Sequence, residues 1–199
     1  ASIIDTTTDT VVAAPPVPYY TASLAFSPDG TRAYLANRWK DALLTWSVRV
    51  DGSGIRIVPD AYRDVALDLP MGATVGTNPD LVLVRPADGL VFVSSVVAGT
   101  IDVFAPDGTT PRGRIAVRSA VGGMAFAGDY LVVTHIGRGN GFLPDAGVDG
   151  DEDGLPGDGT GNVMFQDLQN ELEVFDTRTL ASVGTYTSPH LETINERLS

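Results

Sequence analysis

One unit of strand, turn and strand recurs along the sequence and constrains its fold more than any single residue. The first copy spans residues 22–48, where apolar runs at 24–26, 32–37 and 42–48 are separated by a Ser27-Pro28-Asp29-Gly30 turn and a polar break. Proline pre-sets φ in such a turn, and Asp-Gly tolerates positive φ, so the tetrapeptide closes a hairpin between its flanking strands. The pattern predicts antiparallel β-structure.

The same order of elements returns near Leu81, with a Pro-x-Asp-Gly turn, and again near Gly123. The base period is about 42 residues, which is typical of four-stranded blades in a β-propeller. We expect an all-β fold with one propeller domain over residues 1–199. It contains an outer half blade at residues 1–13, blades at 21–58, 81–117 and 121–187, and insertions at 59–77 and 137–166.

These segments amount to about three and a half blades, whereas a propeller ring closes with about four to eight. Each blade buries its apolar faces against its neighbours, so the segments alone predict an incomplete ring. We expect the remaining blades to come from the rest of a longer chain or from a protein partner.

Charge and composition exclude several classes of function. The net charge is −12, so the chain has no basic surface for nucleic acid. Its apolar runs are far too short to span a bilayer, which argues against direct membrane insertion. There is no cysteine, so disulfides, zinc–thiolate sites and haem-attaching Cys-x-x-Cys-His motifs are absent from these residues.

Two stretches, SIIDTTTDTVVA at residues 2–13 and AFSPDGTRAYLAN at 25–37, resemble the YVTN-type β-propeller repeat of bacterial and archaeal surface and periplasmic proteins. The resemblance implies a propeller fold and an extracytoplasmic location, in the periplasm, at the cell surface or secreted. Proteins built on this repeat include surface proteins, lactonase-like propellers and propellers joined to dihaem cytochrome peroxidase domains of the MauG type. The fold does not choose among these roles.

The insertion at residues 137–166 contains acidic residues at alternate positions around a glycine. Calcium binds six to eight oxygens from flexible carboxylates and carbonyls, and this spacing lets one short loop surround the ion. The predicted calcium ligands are Asp149, Asp151, Asp153 and Asp158. Thr160 stands where an EF-hand has its bidentate glutamate, and the alternative interpretation is a solvated acidic loop.

Rim contacts are predicted in the break that follows the second strand of a blade. These residues are Arg38, Trp39 and Lys40 in the first blade, and His135 and Arg138 in the third. An exposed tryptophan beside two cations can be a contact point for a partner or a glycan. The alternative is that Trp39 packs on a neighbouring blade while the cations remain solvated.

Three functions follow. The leading hypothesis is a non-catalytic extracytoplasmic scaffold that presents rim loops to a protein partner, with calcium in its insertion. The first alternative is the propeller part of a MauG-like redox protein whose haem motifs lie outside this segment. The second alternative is a lactonase-like hydrolase, which the apolar inner strands at residues 24–26, 81–84 and 124–126 disfavour.

Overall fold

A computed structural model describes residues 1–38, 40–51, 54–64, 78–95, 98–117, 121–135 and 171–187. These residues form β-strands joined by turns and short connections. The strands are β1 (Ile3–Asp5), β2 (Thr10–Ala13), β3 (Thr21–Phe26), β4 (Arg32–Asn37), β5 (Ala42–Asp51), β6 (Gly54–Asp64), β7 (Pro79–Val84), β8 (Val91–Ser95), β9 (Thr100–Phe104), β10 (Pro111–Ala116), β11 (Val121–Ala127), β12 (Tyr130–His135), β13 (Glu171–Asp176) and β14 (Ser182–Thr187). Within these ranges, no helix has the length and apolar character that a membrane span requires.

Strands that follow one another in sequence pair with one another in space. Three sheets have four strands each, in the orders β3-β4-β5-β6, β7-β8-β9-β10 and β11-β12-β13-β14, and β1 pairs with β2 in a two-stranded sheet. The ladders of the first and third sheets are antiparallel throughout. The predicted all-β fold of four-stranded sheets is confirmed.

The first sheet is longer than its sequence pattern indicates. Strand β6 continues to Asp64, whereas the blade was expected to end at residue 58 and an insertion to begin at 59. The ladder with β5 continues past Pro59 because a register shift between Thr45 and Trp46 accommodates the residue that cannot donate a hydrogen bond. The remainder of that insertion, residues 65–77, lies outside the described residues.

The chain divides into two compact units. The first unit contains Ala1–Ser94 and Asp102–Gly113, and the second contains Ser95–Ile101 and Arg114–Ser199. In the first unit, the sheet β3-β4-β5-β6 is buried on both faces. One face packs Tyr34, Ala36 and Leu43 against Val82, Val91, Val93 and Phe104, and the other buries Ala33, Leu35, Ala42, Leu44 and Trp46.

The predicted turn chemistry is present at the hairpin between β3 and β4. Gly30 has a φ of 71°, and its N–H donates to the carbonyl of Ser27 at 2.9 Å. The carboxylate of Asp29 accepts hydrogen bonds from the Thr31 backbone N–H and from the Ser27 hydroxyl. A side chain that satisfies the turn backbone in this way fixes the hairpin, and with it which residues of β4 face each side of the sheet.

In the second unit, the core of the sheet β11-β12-β13-β14 comes from alternate residues of its strands. Val121, Leu131, Val133 and Phe175 are buried. The hydroxyl of Thr177, which follows β13, donates to the carbonyl of Asp129 in the turn before β12 at 2.7 Å. This bond ties the two turns at one end of the sheet.

Candidate functional site

A surface in the first unit gathers residues from the connection before β3, the turn after β4 and the start of β7. We call it the tyrosine rim and define it as Tyr19, Tyr20, Arg38, Lys40 and Asp80. Each of these three elements contributes one part of the rim, and hydrogen bonds and an ion pair hold the parts together.

Asn37, the last residue of β4, organises this rim although it is fully buried. Its amide group donates to the carbonyl of Tyr19 at 2.9 Å and its side-chain oxygen accepts from the backbone N–H of Lys40 at 2.9 Å. The backbone N–H of Arg38 donates to the carbonyl of Tyr20 at 3.0 Å. A buried polar side chain with partners on both sides specifies one arrangement of the two connections.

The two tyrosines are the most prominent feature of the rim. Their rings pack edge to face with centroids 4.7 Å apart, and the residues are 72% and 54% exposed. Tyr20 has a φ of 61°, which is uncommon for a bulky residue. A strained backbone conformation of this kind is kept only where the surrounding structure holds it. The side chains therefore stand in solvent on a backbone that is held in place.

Charged groups lie beside the tyrosines. The Arg38 guanidinium is 2.6 Å from the Asp80 carboxylate, an ion pair that joins the turn after β4 to the inner strand β7. The carboxylate of Asp41 accepts from the backbone N–H of Asn78 at 2.8 Å, and both residues have positive φ. Lys40 is exposed. The rim thus combines aromatic surface with both signs of charge.

The structure brings together two of the predicted rim contacts, Arg38 and Lys40. Trp39 and Arg138 lie outside the described residues, as do the predicted calcium ligands Asp149, Asp151, Asp153 and Asp158. Within the described ranges, no three histidine or acidic side chains converge as a metal site would require.

The sequence predicts His135 as a rim contact at the end of the second strand of its blade. It ends β12 as expected, but its side chain is 1% exposed and its Nε2 lies 3.4 Å from a carboxylate oxygen of Glu173 on β13. The Ser182 hydroxyl donates to the other Glu173 oxygen at 3.4 Å. Because its imidazole is buried beside Glu173, His135 is not included in the tyrosine rim.

The sequence alone does not indicate a site at Tyr19 and Tyr20, because they directly follow the proline-rich residues 15–18 of a connecting segment. The sequence signal that could have indicated the site has two parts. Two adjacent aromatic residues precede one strand, and an asparagine ends the next strand. The side chain of Asn37 that holds the Tyr19 carbonyl is visible only in the folded chain.

A second surface of the first unit is a cleft of about 420 Å³ between the turns at residues 27–30 and 86–89 and Pro106. Hydrogen bonds from the hydroxyl of Ser27 and from Thr31 lower the pKa of Asp29 to about 2. The hydrogen bond from Arg85 lowers the pKa of Asp88. The cleft is therefore bordered by two carboxylates whose hydrogen bonds favour the ionised form.

No protein-family model matches the chain, and no curated protein matches its sequence. Solved structures do share its fold. Hydrazine synthase of Kuenenia stuttgartiensis superposes with a TM-score of 0.56 at 13% identity, over 85% of this chain and 36% of the other. The periplasmic gluconolactonase of Pseudomonas aeruginosa superposes with a TM-score of 0.55 at 18% sequence identity, over 86% of this chain and 40% of the other.

A protein of Bacteroides fragilis described as a 6-phosphogluconolactonase gives a TM-score of 0.54 at 13% identity, over 84% of this chain and 42% of the other. The chain thus spans less than half the length of each of these structures. Identities this low show the fold alone. With its four-stranded antiparallel sheets, the chain is built on the β-propeller fold.

Proposed function

We propose that this chain is a non-catalytic β-propeller scaffold that binds a protein partner through the tyrosine rim. The observation that carries the proposal is the exposed tyrosine pair on a backbone that Asn37 fixes from beneath. Tyrosine and arginine are enriched among the residues that dominate binding energy at interfaces. Tyr19, Tyr20 and Arg38 supply both types within one surface.

Preorganisation favours this use of the rim. Association has to offset the entropy of ordering side chains and loops, and a surface that is already ordered loses less. The hydrogen bonds from Asn37 and Arg38 hold both connections before any partner arrives. Each tyrosine also offers a large apolar ring with few rotatable bonds.

Sequence resemblance and spacing support the rest of the proposal. The YVTN-type repeat favours an extracytoplasmic location, in the periplasm, at the cell surface or secreted. Calcium bound by Asp149, Asp151, Asp153 and Asp158 would reduce the repulsion among carboxylates that lie close together in the sequence. These residues lie outside the described ranges, so their spacing is the support.

A lactonase-like hydrolase is the second candidate, because two of the similar solved structures carry lactonase names. A direct assay separates it from the scaffold. The assay measures hydrolysis of glucono-δ-lactone by the protons that it releases. With this protein, the lactone should hydrolyse at the same rate as in buffer alone. A hydrolysis rate that rises with protein concentration would favour the hydrolase. In the MauG-like alternative, the haem motifs would lie outside these cysteine-free residues.

Site-specific photocrosslinking tests the scaffold proposal. A photoreactive phenylalanine analogue replaces Tyr19 in one sample and the exposed Tyr186 of β14 in the other, and each is irradiated in an extract of the source organism. We expect one protein to be captured from position 19 and not from position 186. When that protein is purified, Tyr19→Ala and Tyr20→Ala should each raise the Kd of its complex with this chain by about tenfold or more.

The control is Tyr186→Ala, which should leave Kd unchanged. The same captured proteins at both positions, or a purified partner with equal affinity for the parent and the rim variants, would refute the proposed contact surface.

A further inference from the structure

The cleft between the turns at residues 27–30 and 86–89 is large enough for a small organic ligand. Its volume of about 420 Å³ lies in the range of pockets that hold small molecules, and all of its residues belong to the first unit. Part of its wall is apolar, and the residues that supply this surface are Pro28, Pro86, Ala87 and Pro106. The tyrosine rim shares no residue with this cleft.

Hydrogen bonds within the two turns hold the walls of the cleft in place. The N–H of Gly30 donates to the Ser27 carbonyl at 2.9 Å, and the N–H of Gly89 donates to the Arg85 carbonyl at 2.8 Å. Gly89 has a φ of 75°, and a Cβ at this position would lie 3.2 Å from the Cγ of Pro106. The turn therefore packs closely against Pro106. A cleft with fixed walls loses little entropy when a ligand enters it.

Arg32 supplies a positive charge to the cleft. Its Nη1 donates to the carbonyl of Pro106 at 2.6 Å, which fixes the position of the guanidinium. A guanidinium carries several N–H donors in one plane. Within the described ranges, this is the one hydrogen bond that the side chain of Arg32 donates. The other donors of the guanidinium can therefore bind a ligand.

Asp29 supplies the opposite charge. Its Oδ1 accepts from the Ser27 hydroxyl at 2.6 Å, and from the backbone N–H and the hydroxyl of Thr31 at 3.0 and 2.9 Å. Because these bonds all reach one oxygen, Oδ2 keeps its lone pairs for a ligand, and the pKa of about 2 leaves the carboxylate ionised at neutral pH. Asp88 differs, because Arg85 donates to both of its carboxylate oxygens.

This pair of charges favours one class of ligand. Arg32 and Asp29 form no ion pair with each other, so both can face a ligand. A calcium ion needs about six to eight oxygens, and Arg32 would repel it. A simple anion would meet Arg32 but would be repelled by Asp29. A ligand that carries both a positive and a negative group satisfies both residues, and an apolar portion covers the proline wall.

We propose that the cleft binds a zwitterion of the amino-acid type, a free amino acid or a short peptide, with an apolar side chain. The ligand carboxylate pairs with Arg32, whose planar donors match a carboxylate with two parallel hydrogen bonds. The ligand ammonium group donates to Oδ2 of Asp29. The apolar side chain lies against Pro28 and Pro86. This site does not depend on the partner proposed for the tyrosine rim.

Amide NMR titration of the 199-residue protein with leucine and with leucyl-leucine tests the site. We expect saturable shifts with a Kd of about 1 mM or tighter. N-acetylleucine lacks the ammonium group and leucinamide lacks the carboxylate, so each should bind about tenfold more weakly than leucine, or worse. Tighter binding of leucine assigns the site to free amino acids, and tighter binding of leucyl-leucine assigns it to short peptides.

Two substitutions locate the bound ligand. Asp29→Asn keeps an oxygen for the turn but removes the negative charge, so it should weaken the binding of leucinamide and leave that of N-acetylleucine unchanged. Arg32→Gln should have the opposite effect on the two analogues. Asp5→Asn is the matched control, because Asp5 accepts similar turn bonds from the backbone N–H and hydroxyl of Thr7 outside the cleft.

Thermal unfolding verifies that each variant folds. If Asp29→Asn does not fold, the comparison of leucine with its two analogues on the parent protein still decides the outcome. Three results would overturn the proposal: no saturable shifts with leucine or leucyl-leucine at roughly 10 mM, equal binding of leucine and both analogues, or an equal loss of leucine affinity in Asp5→Asn and Asp29→Asn.

Discussion

The hydroxyl of Tyr34 in the first sheet donates a 2.6 Å hydrogen bond to the carbonyl of Pro106, in a turn of the second sheet. Arg32 donates to the same carbonyl at 2.6 Å through its guanidinium. A single backbone oxygen in the turn between β9 and β10 thus accepts two bonds from β4. Both sheets contribute to the first unit, and this oxygen ties them together.

We expect Tyr34→Phe to lower the free energy of unfolding by about 1 kcal/mol, because it removes one donor and leaves the ring in place. The measurement is urea unfolding followed by fluorescence. Tyr186→Phe is the matched control, since Tyr186 is exposed and its substitution should change stability little. Equal midpoints for Tyr34→Phe and the parent would contradict this role of the hydroxyl.

Two glycines with the same backbone conformation should differ in their response to alanine. Gly30 and Gly108 have φ values of 71° and 70°, but a Cβ at Gly30 would meet nothing within 4 Å. A Cβ at Gly108 would lie 2.0 Å from the Thr45 hydroxyl oxygen. We expect Gly30→Ala to cost about 1 kcal/mol from backbone strain.

Gly108→Ala should cost about 1–3 kcal/mol more, from overpacking. Thermal unfolding of the two variants measures the difference. The double variant Gly108→Ala/Thr45→Ala should recover part of the loss, and the absence of any recovery would argue against the clash with Thr45.

Acid should destabilise the protein partly through Asp107. The hydrogen bond from the Thr110 hydroxyl, with those from the Thr110 and Thr109 backbones, lowers the pKa of Asp107 from 3.8 to about 2. The unfolded state therefore binds more protons, so this stabilisation is present above about pH 4 and is lost as the pH falls toward 2. Thr110→Val removes the hydroxyl donor and should raise the pKa of Asp107.

Carboxyl carbon NMR titration measures this pKa directly. Asp29 is an internal control, because its own bonds come from Ser27 and Thr31 and should hold its pKa at about 2 in the same sample. An unchanged Asp107 titration in Thr110→Val would show that the hydroxyl does not set the pKa.

Calcium should raise the thermal unfolding midpoint if the acidic insertion binds it. A ligand at 100 times its Kd adds about 2.7 kcal/mol to the free energy of unfolding. Asp151→Ala/Asp153→Ala should abolish the calcium-dependent shift, whereas Asp9→Ala should retain it. An identical midpoint for the parent with and without calcium would discard the site.

Elements set by local chemistry were predictable from the sequence. The Ser-Pro-Asp-Gly hairpin forms as expected without help from distant residues. Asp29 accepts the hydrogen bond of the Thr31 backbone N–H, and Gly30 adopts the positive φ that the turn requires. The end of the first blade was not predictable in the same way. Pro59 indicates a break in a strand, but a register shift directly after Pro59, opposite Trp46 and Thr45, lets the ladder continue to Asp64.

The sites depended on residues far apart in sequence. His135 is buried because Glu173, which returns on β13 after the long insertion, lies beside it. Tyr19 and Tyr20 form a fixed surface because Asn37 reaches back to their segment. A sequence pattern reports the period of a strand but not which side chain a later strand brings against it.

The pairing of β12 with β13 has a practical consequence. The ladder runs in unbroken register from Tyr130 opposite Asp176 to Thr134 opposite Leu172, although residues 136–170 separate the two strands in sequence. The cost of closing a loop grows only with the logarithm of its length. We therefore expect a foreign peptide, such as an epitope or a sensor sequence, inserted between β12 and β13 to leave this ladder in register.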